Sequence, residues 1–198
     1  MLFQEDIGPR GKLWIANLGD SRAILNSGKI ERTMTQDHTV KHPRTYHILL
    51  EAHRGINDCL LVEEFRLKRD GYPLRNGYIN EFHRSATRGL GDFGYKLYID
   101  QPMISSKADI VEHELSDFNH FMVLVTRGVA ECYSDEYICK FIRERLVASR
   151  ATGESLSSIA EAFLDHCLAS WWSAPLTPGH DNMSVVIVKF LDNLGDGY

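Results

Sequence analysis

No stretch of this 198-residue sequence stays apolar for the roughly 18 residues that a bilayer-crossing helix requires. Residues 1–11 have neither the apolar core of a secretory signal nor the Arg-rich amphipathic pattern of a transit peptide. These absences lead us to expect a soluble, intracellular protein that does not engage a membrane. Cysteine is scarce, and Cys59, Cys132, Cys139 and Cys167 form no C-x-x-C pair, which argues against a dithiol redox motif and leaves reduced, partly buried thiols as the expectation. An excess of positive charge is also missing. The 22 Lys and Arg against 27 Asp and Glu give a net charge of -5, so a nucleic-acid backbone is not indicated as a partner. Finally, there is no internal repeat, low-complexity tract or Pro/Gly/Ser linker, so residues 1–198 read as one domain, with an average apolar content sufficient for a core.

What is present has the alternation of strands followed by the periodicity of helices. Lys12 to Asn17 alternates as a strand. Arg22 to Asn26 and Lys29 to Thr33 flank Ser27-Gly28, a tight turn whose glycine can take positive φ. Residues 36–80 break into His, Arg and Gly with short apolar pieces, which predicts an irregular, flap-like insert with one helix near Thr45 to His53. Ile110 to Leu115 alternates as an edge strand, whereas Phe121 to Val125 and Met183 to Phe190 are continuous apolar runs of the kind buried on both faces. Ser134 is a plausible N-cap, with Asp135 and Glu136 complementing the helix dipole and Ile138, Phe141, Ile142 and Leu146 forming one stripe that ends near Gly153. Ser158 and Glu161 form a capping box for a second amphipathic helix through Ile159, Phe163, Cys167 and Trp171. Strands, insert, strands, two helices and a last strand make an α+β layered domain.

Two acidic turns stand out. Gly19-Asp20 sets a carboxylate at the end of a sheet, and Asp181-Asn182 does so just before a strand; each reads as a cation ligand or as an ordinary turn. The histidines His38, His42, His47 and His53 match no zinc-finger spacing and read as a solvated loop. Trp171-Trp172 sets one tryptophan toward the core and offers the other as an interface anchor.

The ordered series Leu13-Trp14-Ile15-Ala16-Asn17-Leu18-Gly19-Asp20-Ser21-Arg22-Ala23, then Ala86-Thr87-Arg88-Gly89-Leu90-Gly91-Asp92, then Phe121 to Ser134, then Gly179-His180-Asp181-Asn182 resembles the protein phosphatase 2C family over roughly residues 12–190. The resemblance implies an antiparallel β-sandwich with flanking helices, and hydrolysis of phosphoserine and phosphothreonine at a pair of Mn²⁺ or Mg²⁺ ions. It also implies that Asp181 is a metal ligand, that Asp20 and Glu131 stand at further metal-site positions, and that Arg127 in Thr126-Arg127-Gly128 stands where the family has a liganding Asp. A guanidinium only donates and stays charged, so the substitution replaces a charge of -1 by +1. The family's Asp-Gly-His-Gly-Gly motif and its neighbouring ligands fall upstream of residue 1, so the sandwich is expected to be incomplete, lacking N-terminal strands and helices.

From these departures we expect no catalytic residues and no metal cofactor, and a catalytically inactive subunit whose role is interaction or structure, with a protein partner covering the truncated sandwich. The alternative is a fragment of an active Mn²⁺- or Mg²⁺-dependent serine/threonine phosphatase. A further alternative is a phosphopeptide binder that uses Arg127 and Arg88 without cleaving the phosphate.

Overall fold

The computed structural model describes residues 2–5, 11–40, 57–72, 74–75, 78–79, 86–96, 102–173 and 181–190. Among them are strands β1 (Leu2–Glu5), β2 (Lys12–Asn17), β3 (Arg22–Ser27) and β4 (Ile30–Thr33), helix α1 (Asn57–Arg69), and the short β5 (Leu74–Arg75) and β6 (Tyr78–Ile79). They continue through β7 (Asp109–Glu114), β8 (Phe121–Val125), the single-turn α2 (Arg127–Ala130), α3 (Asp135–Thr152), α4 (Leu156–Ser173) and β9 (Val185–Lys189). The fold class is the expected mixture of helices and antiparallel sheets. The chain divides into two compact units, one made of Met1–Ile15, Ser21–Thr35 and Val111–Tyr198, the other of Ala16–Asp20 and Gln36–Ile110.

The first unit is built on a four-stranded sheet in the order β4-β3-β8-β9, with Ile24 opposite Val123 and Val123 opposite Ile187. Its period-2 alternation separates two apolar faces. Ile24, Phe121, Val123 and Val125 pack against Ile138, Ile142, Ile159 and Phe163 of α3 and α4, whereas Ala23, Leu25 and Met122 pack against Leu13, Ile15 and Leu115 from the region of β2 and β7. Burying each of the larger side chains contributes about 1.5–3 kcal/mol, so this two-sided core is the main source of the unit's stability. Asp135 at the start of α3 is itself buried and pairs with buried Arg22 on β3, with Nη1 3.2 Å from Oδ1, while the Thr33 hydroxyl donates to its other oxygen.

Local signals explain the helix ends. The Ser134 side chain accepts from Tyr137 N–H, and Gly153 closes α3 with φ of 73°, a left-handed conformation that glycine takes without strain. The start of α4 differs from the capping box expected at Ser158. Ser155 Oγ accepts from the Ser158 amide at 3.1 Å, so the helix begins at Leu156 and Ser158 lies inside its first turn. Strand β9 also differs from the expectation of two-sided burial: among the described residues it is the edge of its sheet, and Val186 is 52% exposed.

The second unit is not irregular throughout. Residues 45–53, where a helix was expected, lie outside the described residues; the described helix is α1, and its Leu67 packs with Val40 and Ile104 in a separate small core. The side chains of Cys59, Trp171 and Trp172 lie outside the described residues. Cys139 and Cys167 are buried and free, and burial, the largest cause, pushes each thiol up to about 12, consistent with inert packing. No helix among the described residues is long and apolar enough to cross a membrane.

Candidate functional site

Two strand ends meet in the first unit. β8 runs into Thr126, whose extended backbone (φ -80°, ψ 166°) caps α2, and the Thr126 amide donates to Ser184 O at 3.1 Å. The Ser184 amide returns a bond to Thr126 Oγ1 at 2.9 Å, and that hydroxyl donates to Asn182 O at 3.3 Å. Gly128 completes the seating. A Cβ there would stand 2.8 Å from Asn182 O and 3.1 Å from Asp181 O, so only glycine lets α2 rest directly on the Asp181–Asn182 backbone.

This junction sets Arg127 beside Asp181. Nη2 and Nε of the guanidinium lie 2.6 and 3.0 Å from Asp181 Oδ2, and the other carboxylate oxygen, Oδ1, accepts the Asn182 amide at 2.9 Å. Glu131, one helical turn beyond Arg127, brings Oε1 to 3.7 Å from Nε. Two of the three carboxylates singled out from the sequence are thus brought together around the cation that the sequence placed among them. The pair is reachable from solvent, with side-chain exposures of 41% for Arg127 and 42% for Asp181.

Asp20 belongs to the second unit, on a turn held from beneath. Gly19 has φ of 115°, a region that side chains strain to enter. Its amide donates to His38 Nδ1 at 3.1 Å, and its carbonyl accepts from the His38 amide at 2.9 Å and from Asn17 Nδ2 at 3.4 Å. Because Nδ1 accepts, Nε2 carries the proton and donates to Asp109 Oδ2 at 2.9 Å. His38 is 2% exposed, so the expectation of a solvated loop fails at this histidine.

Next to it lies a buried charge network. Glu63 on α1 is 2% exposed, and its Oε1 takes Arg88 Nη2 at 2.6 Å and Nε at 2.9 Å, while Oε2 takes the Thr87 hydroxyl at 2.6 Å and Arg66 Nε at 3.2 Å. Burial alone raises the Glu63 carboxyl, but the bonds from Arg88 and Thr87 and the charges of Arg66 and Arg88 outweigh it and hold the group below its ordinary value. Arg88 spends its remaining Nη1 on Lys107 O at 3.1 Å and Asp109 Oδ1 at 2.8 Å. This corrects the reading of Arg88 as a phosphate binder: its fork is committed to carboxylates. Glu63 and His38 were missed as a network by sequence reasoning; the i, i+3 spacing of Glu63 and Arg66 was the one available signal.

Chemically, the Arg127 junction is a charge-balanced pair of strand ends. Among the described residues no three His, Cys, Asp or Glu side chains converge as a metal-binding group, and Asp181 Oδ2 is engaged by a guanidinium. These residues do not by themselves fit a two-cation centre.

Comparison with known proteins gives this geometry its relatives. The family model for protein phosphatase 2C matches residues 8–172. The chain is 31% identical over 183 residues to protein phosphatase 2C homolog 3 of Schizosaccharomyces pombe, covering 91% of this chain and 38% of that protein. It is 28% identical to protein phosphatase 2C homolog 2 of Aspergillus flavus, covering 91% of this chain and 37% of the relative. In fold it is similar to a phosphatase from a pathogenic strain of Toxoplasma gondii, with TM-score 0.63, 18% identity, and coverage of 92% of this chain and 49% of that one. It is also similar to a C. elegans sex determining protein, with TM-score 0.59, 19% identity, and coverage of 90% and 36%. The chain therefore spans about two fifths of the length of the curated relatives it matches. These matches also correct the expectation of no metal cofactor, because phosphatases of this kind depend on Mn²⁺ or Mg²⁺.

Proposed function

Because this chain belongs to the protein phosphatase 2C family, we propose that it is one part of a Mn²⁺- or Mg²⁺-dependent protein serine/threonine phosphatase domain, the remaining part being supplied by residues outside these 198. The observation that supports this most is the junction of β8 and β9, where backbone bonds between Thr126 and Ser184 fix Asp181 and Glu131 on adjoining segments at one end of a sheet. Oxygen ligands of this kind suit hard divalent cations. The share of the relatives that the chain spans supports the reading that further ligands come from elsewhere in the domain. Strand β9, the sheet's edge among the described residues and exposed at Val186, supports a proposal about the partner: additional strands of that domain lie along it. The test is Mn²⁺-supported release of phosphate from phosphoserine and phosphothreonine peptides by the full-length protein. Activity lost on Asp181→Ala is the expected result, and a full-length protein without hydrolysis under any divalent cation overturns the reading.

A second reading, a non-hydrolytic family member that acts as an interaction subunit, is favoured by one observation, the Arg127 guanidinium on Asp181. It predicts that the full-length protein binds its partner equally well with and without Asp181.

A further inference from the structure

We infer that Arg127 is a built-in cation of this site and that a divalent ion gains Asp181 only in competition with it; the inference rests on the reading of Asp181 as a ligand position. The geometry is that of a seat already taken. Both Nη2 and Nε address Asp181 Oδ2, and Oδ1 is spent on the Asn182 amide, so the carboxylate offers an incoming ion no oxygen free of a hydrogen bond. Charge acts in the same direction. A guanidinium stays protonated at all physiological pH, and a divalent ion at Asp181 would sit within a few ångström of it, where like charges repel in proportion to proximity and to exclusion of water.

The seat is also rigid on the protein side. Thr126 and Ser184 are joined by backbone and hydroxyl bonds, and Gly128 rests on the carbonyls of Asp181 and Asn182, so Arg127 and Asp181 issue from segments that cannot drift apart independently. Glu131 Oε1, 3.7 Å from Nε, adds a second carboxylate to the guanidinium. The freedom left is rotation of the Arg127 side chain, which at 41% exposure has solvent to swing into. Competition between guanidinium and ion is therefore a side-chain event at fixed backbone, and anything that binds Arg127 from solvent, such as a phosphate group, releases Asp181.

The experiment is titration of the 198-residue chain with Mn²⁺ alone, free ion being read by electron paramagnetic resonance. Arg127→Gln keeps a polar side chain on a shorter stem without the charge, and circular dichroism confirms that it folds; Arg127→Ala is the second variant. Both are expected to bind Mn²⁺ at least about tenfold more tightly than the parent, and the gain is expected to vanish when Asp181→Ala is added. Arg127→Gln and Arg127→Ala proteins that bind no more tightly than the parent overturn the inference, and so does a gain that survives Asp181→Ala. No substrate or turnover enters the measurement. A full-length protein that fails to hydrolyse phosphopeptides overturns the functional reading above, while the Mn²⁺ titration separately decides the role of Arg127.

Discussion

Replacing Asp135 by Ala removes one half of a buried ion pair. Arg22 and Asp135 have side-chain exposures of 7% and 8%, so the guanidinium that loses this carboxylate has little access to water. Breaking such a pair from one side costs about 3–5 kcal/mol. The Nη1–Oδ1 separation of 3.2 Å is long for a charge-assisted bond, which places the ion-pair part at the low end. The Thr33 hydroxyl loses its acceptor, worth about 1 kcal/mol, and the first turn of α3 loses an anion worth about 0.3–1 kcal/mol against the dipole. We therefore expect Asp135→Ala to destabilise the first unit by about 4 kcal/mol. With a urea m-value of about 2–3 kcal/mol/M, the unfolding midpoint falls by about 1.5–2 M. The comparison that separates charge from packing is Arg22→Met with Asp135→Leu. An apolar pair removes both charges together, so the double variant should recover most of the loss. A midpoint for Asp135→Ala within about 0.3 M of the parent would refute the reasoning.

Other consequences follow from single contacts. Asn26 is fully buried on β3 and neither of its side-chain atoms bonds to a described residue, so Asn26→Leu should raise the midpoint of thermal unfolding, by about 1 kcal/mol in stability; a lowered midpoint contradicts this reading of the amide. Gly128→Ala should destabilise by about 1–3 kcal/mol in urea, because its Cβ meets backbone oxygen at 2.8 Å rather than a movable side chain. For His38, Asn retains an acceptor for the Gly19 amide while Ala removes it, so amide exchange at Gly19 should quicken by about tenfold in His38→Ala and less in His38→Asn; equal rates would remove the imidazole from its role in holding the turn. Glu63 and Asp109 are both held below their ordinary values of 4.5 and 3.8, so the stability they give is present above those values and is lost as pH falls through the lower, folded ones. Acid unfolding followed by amide exchange in α1 should show this loss, and Glu63→Gln should flatten the pH dependence.

The elements governed by local chemistry were legible. Phe121 to Val125 matches β8 at both ends, and Ser134 and Gly153 bound α3, because a continuous apolar run, a capping hydroxyl and a left-handed glycine act within a few residues of where they stand. Partnerships between distant residues were not. Asp135 read only as a first-turn acid complementing the helix dipole, yet it is buried against Arg22, more than a hundred positions earlier. His38 looked solvated because its two partners, Gly19 and Asp109, lie 19 and 71 positions away. At the candidate site, the proximity of Arg127, Glu131 and Asp181 emerged from the resemblance to a family, since 54 residues separate Arg127 from Asp181 and no periodicity connects them. Helix α1 escaped notice because Glu63, Arg66 and Asp70 turn its inner face polar, a stripe that reads as solvent-facing until their salt bridges are seen.

The absence of a side chain at position 128 separates the scaffold of this site from its charge. Since the strand ends are joined through main-chain atoms, the Thr126 hydroxyl and one glycine, and not through the Arg127 side chain, what stands at position 127 is an interchangeable part set in a fixed socket. A lineage can invert the sign of the site by one replacement there, with no refolding and no compensating change in the core, whereas position 128 has no such liberty. The junction is thus modular: its shape is set by backbone geometry and its charge by the single neighbouring side chain.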